Sequence, residues 1–466
     1  MPFDPEYTAR VLRENFEDAK ALFLSSLIDI HYAHLIMLHQ QHLLSAADAH
    51  VLRSALDAIP LAEIKAVAYD QACEDLFFYI ERFLVARCGE DVAGRLRIAR
   101  SRNDIDMTMY RMRQRELLSV LCGHVLDLRV ALLALAAQHR ETLFAAHTHT
   151  QPAQPTTVAH YLLAVIEQLE RDFVRMRAAY ASTNRSPLGA CAITGTGFPI
   201  DRQVTSELLG FDEPSGNTYG SIATVDYLLE AVAATQVLLA GLGRVVQDLL
   251  LWCTQEVGYL RLADGLVQGS SIMPQKRNPV ALEHTRSLTS KALGQAIAIV
   301  TAVHNTPFGD IVDTEDDLQP LVASMFRDAQ RAVALLAATI HGAEINVERM
   351  HARVEQGGTT STELADRLVR DHGIPFNSAH AIAAAYVSGD PNAALARYTR
   401  DELACITSAR NFVDVRNTPG GPAPAETARA LAASHERARV DREWLERVHH
   451  KIDVATSTRK QRAAEL

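Results

Sequence analysis

Residues 222–253 read IATVDYLLEAVAATQVLLAGLGRVVQDLLLWC, and only Asp226, Glu230, Arg244 and Asp248 among them are charged. Apolar residues recur three and four apart, which is the helical period. A helix apolar nearly all round must be enclosed by other helices or by other subunits. The same pattern returns over 105–140, 157–181, 280–303 and 321–340, whereas no run of β-branched residues alternates with period two. The chain is therefore predicted to be all-α, built on a bundle of long helices. Rods of this kind, roughly 45 Å long at 1.5 Å per residue, are expected to pair their apolar backs in a homo-oligomer.

Shorter helices flank the bundle. The stretch from Tyr7 to Ile59 is helical, with Ser45 and Asp48 placed as a capping start. Residues 72–88 form a helix carrying Glu74 and Asp75 in its early turns, stopped at Gly89. Beyond Glu348, helices are predicted over Ser361–Asp371 and Ser378–Val387. A Pro/Gly-rich turn at 417–422 precedes a last helix from Ala425, whose polar tail, 457–462, is expected to fray. The chain divides as 1–103, 104–350 and 351–466. A net charge of -10 argues against a general nucleic-acid binder. Six scattered cysteines fit reduced thiols in a cytoplasmic protein. The amino terminus lacks the apolar core of a signal peptide. The longest charge-free stretch of the most apolar helix, 231–243, falls short of the ~18 residues a membrane span needs.

Five stretches carry chemistry. GSSIMPQKRNP, 269–279, opens with residues that favour a mobile backbone and closes on Asn278 and Pro279, a good N-cap and first helical residue. A loop bearing Ser, Lys and Asn on a rigid helix suits an active-site lid. Four arginines in 95–102, ending Ser101-Arg102-Asn103-Asp104, read as an anion clamp or a solvated basic face. His147-Thr148-His149-Thr150-Gln151 sits in a break between helices, where one histidine suits proton transfer and the other reading is helix capping. A metal role lacks a third ligand nearby. The small-residue loop 186–197 points to close backbone approach to a ligand or a neighbouring helix. Five acids in 310–317 form either a cation pocket or an acidic helix start.

Together these stretches resemble the fumarase/aspartase superfamily, most closely its argininosuccinate lyase branch. The loop 269–279 is similar to the superfamily signature, with Gln275-Lys276 in the lyase form. Ser101-Arg102-Asn103-Asp104, the Thr148-His149 motif through Pro155, and Gly420-Gly421-Pro422-Ala423-Pro424 match the branch in order along nearly the whole chain.

The resemblance implies a three-domain helical subunit, a homotetramer with active sites shared between subunits, a small-molecule substrate, and no metal or organic cofactor. It implies elimination of an amine from an N-substituted L-aspartate, argininosuccinate by default, with fumarate released. On the matching positions, Ser270 takes the proton, Lys276 and Asn278 stabilise the dianion, His149 protonates or relays to the amine, and Glu283 orients His149. Arg102, Asn103 and Thr148 bind succinyl carboxylates, with Ser101, Ser271, Asp75 and Gln151 completing the substrate contacts.

The chain departs from the branch where the amine is chosen. Ile30-His31 stand where Gly-Ser usually precedes Ala-His, and Ile98-Ala99 replace Thr-Gly. In 310–318, Asp310, Ile311, Val312, Glu315 and Leu318 replace Tyr, Asn, Lys, Gln and Lys. The exchange favours a more cationic amine, so a relative acting on another aminated succinate, such as a diamine adduct, is the alternative. A crystallin-like structural protein without turnover is the alternative from another class. Adenylosuccinate lyase is a weaker relative, because its arginine and histidine motifs differ.

Overall fold

The computed structural model describes residues 3–466. Helices dominate: α1 (Leu24–Gln40), α2 (Leu76–Arg95), α3 (Arg102–Gln138), α4 (Val158–Thr183), α5 (Asp226–Trp252), α6 (Val280–Val303), α7 (Leu318–His341) and α8 (Pro424–Ala464), with shorter ones between. Helices α3 to α7 form a closed bundle, each packing on the next and α7 returning to α3. One apolar core runs through the N-terminal helices, the bundle and α8, and residues 364–406 enclose a second, smaller core.

Several expected boundaries shift. The predicted 222–253 helix is two, because Thr224 is extended (ψ 140°) and separates Thr218–Ala223 from α5. Ser45 caps its helix as predicted, accepting from the Asp48 amide at 3.1 Å. Glu74 and Asp75 precede α2, with Asp75 as its N-cap, while Gly89 (φ 80°, ψ 159°) is non-helical and stops the first helical stretch as expected, a second continuing to Arg95. The tail does not fray. Arg459 is buried, donates to the Leu208 carbonyl at 2.7 Å and pairs with Asp29 at 2.6 Å, so α8 stays helical to Ala464.

Small β pairs also appear. Strands β1 (Leu143–Thr148) and β2 (Gln151–Thr157) make a hairpin, and β3 (Leu260–Leu262) pairs antiparallel with β4 (Ala343–Ile345). His149 and Thr150 both have positive φ (49° and 63°), the geometry of a two-residue hairpin turn.

Charged side chains inside the bundle explain why α3 is not uniformly apolar. Arg129 is fully buried, with Asp441 at 2.6 Å and Glu170 at 3.5 Å, tying α3 to α8 and α4. Arg111 lies over Tyr227 at 3.9 Å and donates to the Ser182 carbonyl. A buried charge keeps its place only when paired in this way.

Helices α3 and α5 are long and apolar enough to cross a membrane by length and composition, which the sequence alone did not anticipate. Here their apolar faces meet other helices. Part of the bundle surface stays bare: Val237 and Leu251 on α5 and Ile297 on α6 are exposed, the last at 56%.

Candidate active site

The bundle sorts the motif residues to its two ends. Helix α3 has 37 residues, so Arg102 at its start and the β1–β2 hairpin beyond its finish are separated by about 55 Å. The other helices alternate in direction. Trp252, at the end of α5, packs against Phe144 of β1 and Tyr161 of α4 (centroids 5.3 and 5.0 Å), which places the 253–279 segment at the hairpin end. Residues 304–317 link α6 back to α7 at the Arg102 end.

At the hairpin end, the 269–277 loop is pinned at its neck. Gln268 and Asn278 exchange backbone hydrogen bonds of 3.1 and 2.9 Å, forming an isolated bridge. Asn278 is therefore not the N-cap of α6. That position is Pro279, which leaves the Asn278 side chain free of capping duty. Arg277 ties the loop's return to its base, donating to the Leu262 carbonyl at 2.9 Å and pairing with Asp264 at 2.7 Å. Ser270 Oγ accepts from the backbone amides of Ile272 (3.3 Å) and Met273 (3.1 Å). Ser271 and Lys276 are exposed, as are Thr148, His149 and Gln151 on the hairpin and Glu283 in the first turn of α6. Among the described residues, no hydrogen bond or ion pair joins His149 to Glu283 within the chain.

At the opposite end, Ser101 and Asp104 form a capping box that starts α3. Asp104 is completely buried and accepts from the amides of Ser101 (2.9 Å), Gly189 (2.8 Å) and Cys191 (3.0 Å). Burial pushes its carboxyl up to about 6, against those three hydrogen bonds. The small-residue loop thus approaches a helix start, and Asp104 is the anchor. At Gly189 (φ 89°), an added Cβ would lie 2.7 Å from Arg202 Cγ. Asn103 accepts from the Ser101 hydroxyl at 2.7 Å.

Arg102 stands among acids. Its guanidinium donates to Asp75 at 2.6 Å and Glu74 at 3.1 Å, and lies over Phe78 at 5.4 Å. Asp75, expected to touch substrate, here caps α2 and holds Arg102. The 310–317 segment folds toward the same place. Burial, then Asp310, then Asp316 push the Glu315 carboxyl up to about 8, while Arg102 pulls it down. Asp106 is raised by burial and by Asp75, Asp316 and Glu315. The acids of 310–317 precede α7, which begins at Leu318, rather than forming its first turn. They converge on the same end as Arg102.

One chain therefore offers two half-sites. The hairpin end has a serine under two amides, a lysine, a histidine and a glutamate. The Arg102 end has an arginine and an asparagine amid excess negative charge.

A family model described as lyase matches residues 42–294, and one described as argininosuccinate lyase C-terminal matches 358–417. The chain is 41% identical over 452 residues to argininosuccinate lyase 2 of Agrobacterium fabrum, covering 92% of this chain and 90% of that one. It is 37% identical to the argininosuccinate lyase of Methanoculleus marisnigri, covering 83% and 82%. Among solved structures, a variant of EDDS lyase with bound fumarate superposes with a TM-score of 0.87 at 30% identity, covering 100% of this chain and 96% of that one.

Proposed function

The chain belongs to the argininosuccinate lyase family of the fumarase/aspartase superfamily, and on that premise we propose that it eliminates an amine from an N-substituted L-aspartate, argininosuccinate by default, releasing fumarate. The observation that carries this reading is Ser270, whose Oγ sits beneath two backbone amides on a loop pinned at its neck.

The proton beside the β-carboxylate is barely acidic, and its removal leaves an aci-carboxylate with two negative charges. A serine can take that proton only where fixed donors stabilise its alkoxide, as the Ile272 and Met273 amides do. Lys276 and the Asn278 amide then meet the developing dianion. His149, oriented by Glu283, supplies or relays the proton on which the amine departs. Arg102, Asn103 and Thr148 hold the succinyl carboxylates, with Ser101, Ser271 and Gln151 around them and Asp75 steering Arg102.

The two half-sites lie about 55 Å apart along α3, so they act together only when subunits pack with bundles antiparallel. The bare apolar faces of α5 and α6 are the surfaces available for that, and a homotetramer sharing its sites is the assembly we propose.

A second reading has its own observation. Asp316 beside Arg102 and Asp310 against Glu315 favour a cationic leaving amine, as Glu315 does once ionised, and a diamine–succinate adduct fits them. Purified protein given argininosuccinate is expected to raise the ultraviolet absorbance of fumarate. Fumarate from a diamine adduct but none from argininosuccinate would overturn the default.

A pH dependence follows from Glu315. Below about 8 its carboxyl is neutral, and above that it adds a negative charge beside Arg102. The KM for the anionic substrate is expected to rise several-fold as pH passes 8, from lost electrostatic complementarity. The Glu315→Gln variant, neutral throughout, should lack that rise. An unchanged KM–pH profile in the variant would remove Glu315 from the site.

A further inference from the structure

The Gly420-Gly421-Pro422 turn and the histidine facing it have no part in the steps above. His160 stands in the first turn of α4, shortly after β2. Its Nε2 lies 2.9 Å from the Gly420 carbonyl and its Nδ1 2.8 Å from the Thr156 hydroxyl. A carbonyl only accepts, so Nε2 carries the proton, and in the neutral ring Nδ1 accepts from Thr156. One ring thus joins the root of the hairpin to a turn 260 residues further along the chain.

The turn is built to hold still. Gly420 has a φ of 84°, which suits glycine, and its amide donates to Glu426 in the first turn of α8 at 2.8 Å. A Cβ added at Gly421 would lie 2.2 Å from the Arg416 carbonyl oxygen. Arg416 in turn donates to the buried Glu363 at 3.0 Å. The adjacent Thr362 accepts from Gln154 of β2 at 3.2 Å. These contacts form a closed circuit, which leaves β2 at Gln154, crosses the helix that starts the smaller core, and returns to β2 at Thr156.

The hairpin needs that support. A two-stranded hairpin is marginally stable by itself, and Pro152 and Pro155 remove two backbone donors from β2. Beneath it, Leu143 and Ala145 of β1 meet Val354, Ala409 and Val413 in a small buried cluster. Around His160 the packing is open. Its ring lines both a cavity of about 760 Å³ between α4 and α8 and one of about 530 Å³ behind the hairpin. A strut between two voids sets a spacing that packing there does not.

We propose that His160 is a positioning residue for the elimination: through Gly420 it holds the smaller C-terminal core against the hairpin, and so keeps His149, at the hairpin tip, where it serves the leaving amine. The proposal rests on the lyase reading, in which His149 supplies or relays that proton.

The test uses two amides of different reach. A glutamine side chain extends as far as Nε2 and can still donate to Gly420, whereas an asparagine ends near Nδ1 and can keep only Thr156. His160→Asn should lower kcat about five- to tenfold with little change in KM, since one hydrogen bond biases a population by roughly that factor and the succinyl contacts are untouched. His160→Gln should restore most of the rate. In a His149→Gln background, His160→Asn should cost nothing further, the mark of a residue that acts through another. A merely structural histidine would lower Tm and leave the kcat of the folded protein unchanged, and that result would overturn the proposal. So would a glutamine variant as slow as the asparagine one, a loss carried by KM, or a full loss persisting in the His149→Gln background. If the parent releases no fumarate from any N-substituted aspartate, the lyase reading fails. The strut is then judged by amide hydrogen exchange over residues 143–157, which should quicken in His160→Asn and match the parent in His160→Gln. Equal rates in all three proteins reject it.

Discussion

Ser270→Ala should release fumarate on the order of a thousandfold more slowly than the parent, with little change in KM, because a positioned general base contributes ~10² to 10⁴ to rate. A thousandfold corresponds to roughly 4 kcal/mol of transition-state stabilisation. The substitution removes the atom that receives the proton and leaves the succinyl contacts in place, so the loss belongs in kcat. Folding should be undisturbed. The Ser270 side chain sits on a surface loop, its hydrogen bonds are confined to the Ile272 and Met273 amides, and the neck of the loop is closed by the Gln268–Asn278 backbone bridge and by Arg277. Single-turnover fumarate absorbance on matched, circular-dichroism-checked samples separates the cases. A variant indistinguishable from the parent would remove Ser270 as base. If the parent is equally inert on every N-substituted aspartate tried, the crystallin-like reading gains.

Much of this site was legible in the order of residues, because its parts are local motifs. The capping logic of Ser45–Asp48 depends on neighbours within one turn, and α6 was bounded as Val280–Val303 from periodicity. What escaped was set by distant partners. Asp104 read as the last letter of an anion clamp, yet its work is to bind the amides of Gly189 and Cys191, 85 and 87 residues away. The Ser101–Asp104 capping spacing was the available clue. Asp75 read as a substrate contact, and only folding shows it gripping Arg102. Asn278 looked like a cap because Asn before Pro usually is one; the bridge to Gln268 overrides that preference. The hairpin at His149 has no alternating strands to announce it, since Pro152 and Pro155 interrupt β2. Length and composition alone do not decide a membrane span either. Charges on α3 and α5 are few enough to pass, and what the apolar faces meet is decided by packing rather than composition.

The segregation of the motifs makes the strongest demand on assembly. Arg102→Met and Ser270→Ala proteins, each purified separately, should both be nearly inactive, yet a mixture unfolded and refolded together should regain activity. If each site takes Arg102 from one chain and Ser270 from another, random mixing restores both residues in about a quarter of sites, the product of two halves. If both residues came from one chain, no mixture would contain an intact site and the recovered activity would be nil. The structure argues for the first case on charge as well as distance. Around Arg102 the chain supplies Glu74, Asp75 and Asp316, with Asp106 and Glu315 raised toward their neutral forms beside them, so a dianionic intermediate there meets more acids than the one arginine balances. Lys276, at the other end of the bundle, is the cation that would redress it, and only another copy can bring it there. Recovery near a quarter of parental kcat, measured on the refolded assembly against each variant refolded alone, is the expected outcome. A mixture no more active than its components would mean that the half-sites never meet, and the shared-site assembly would have to be given up.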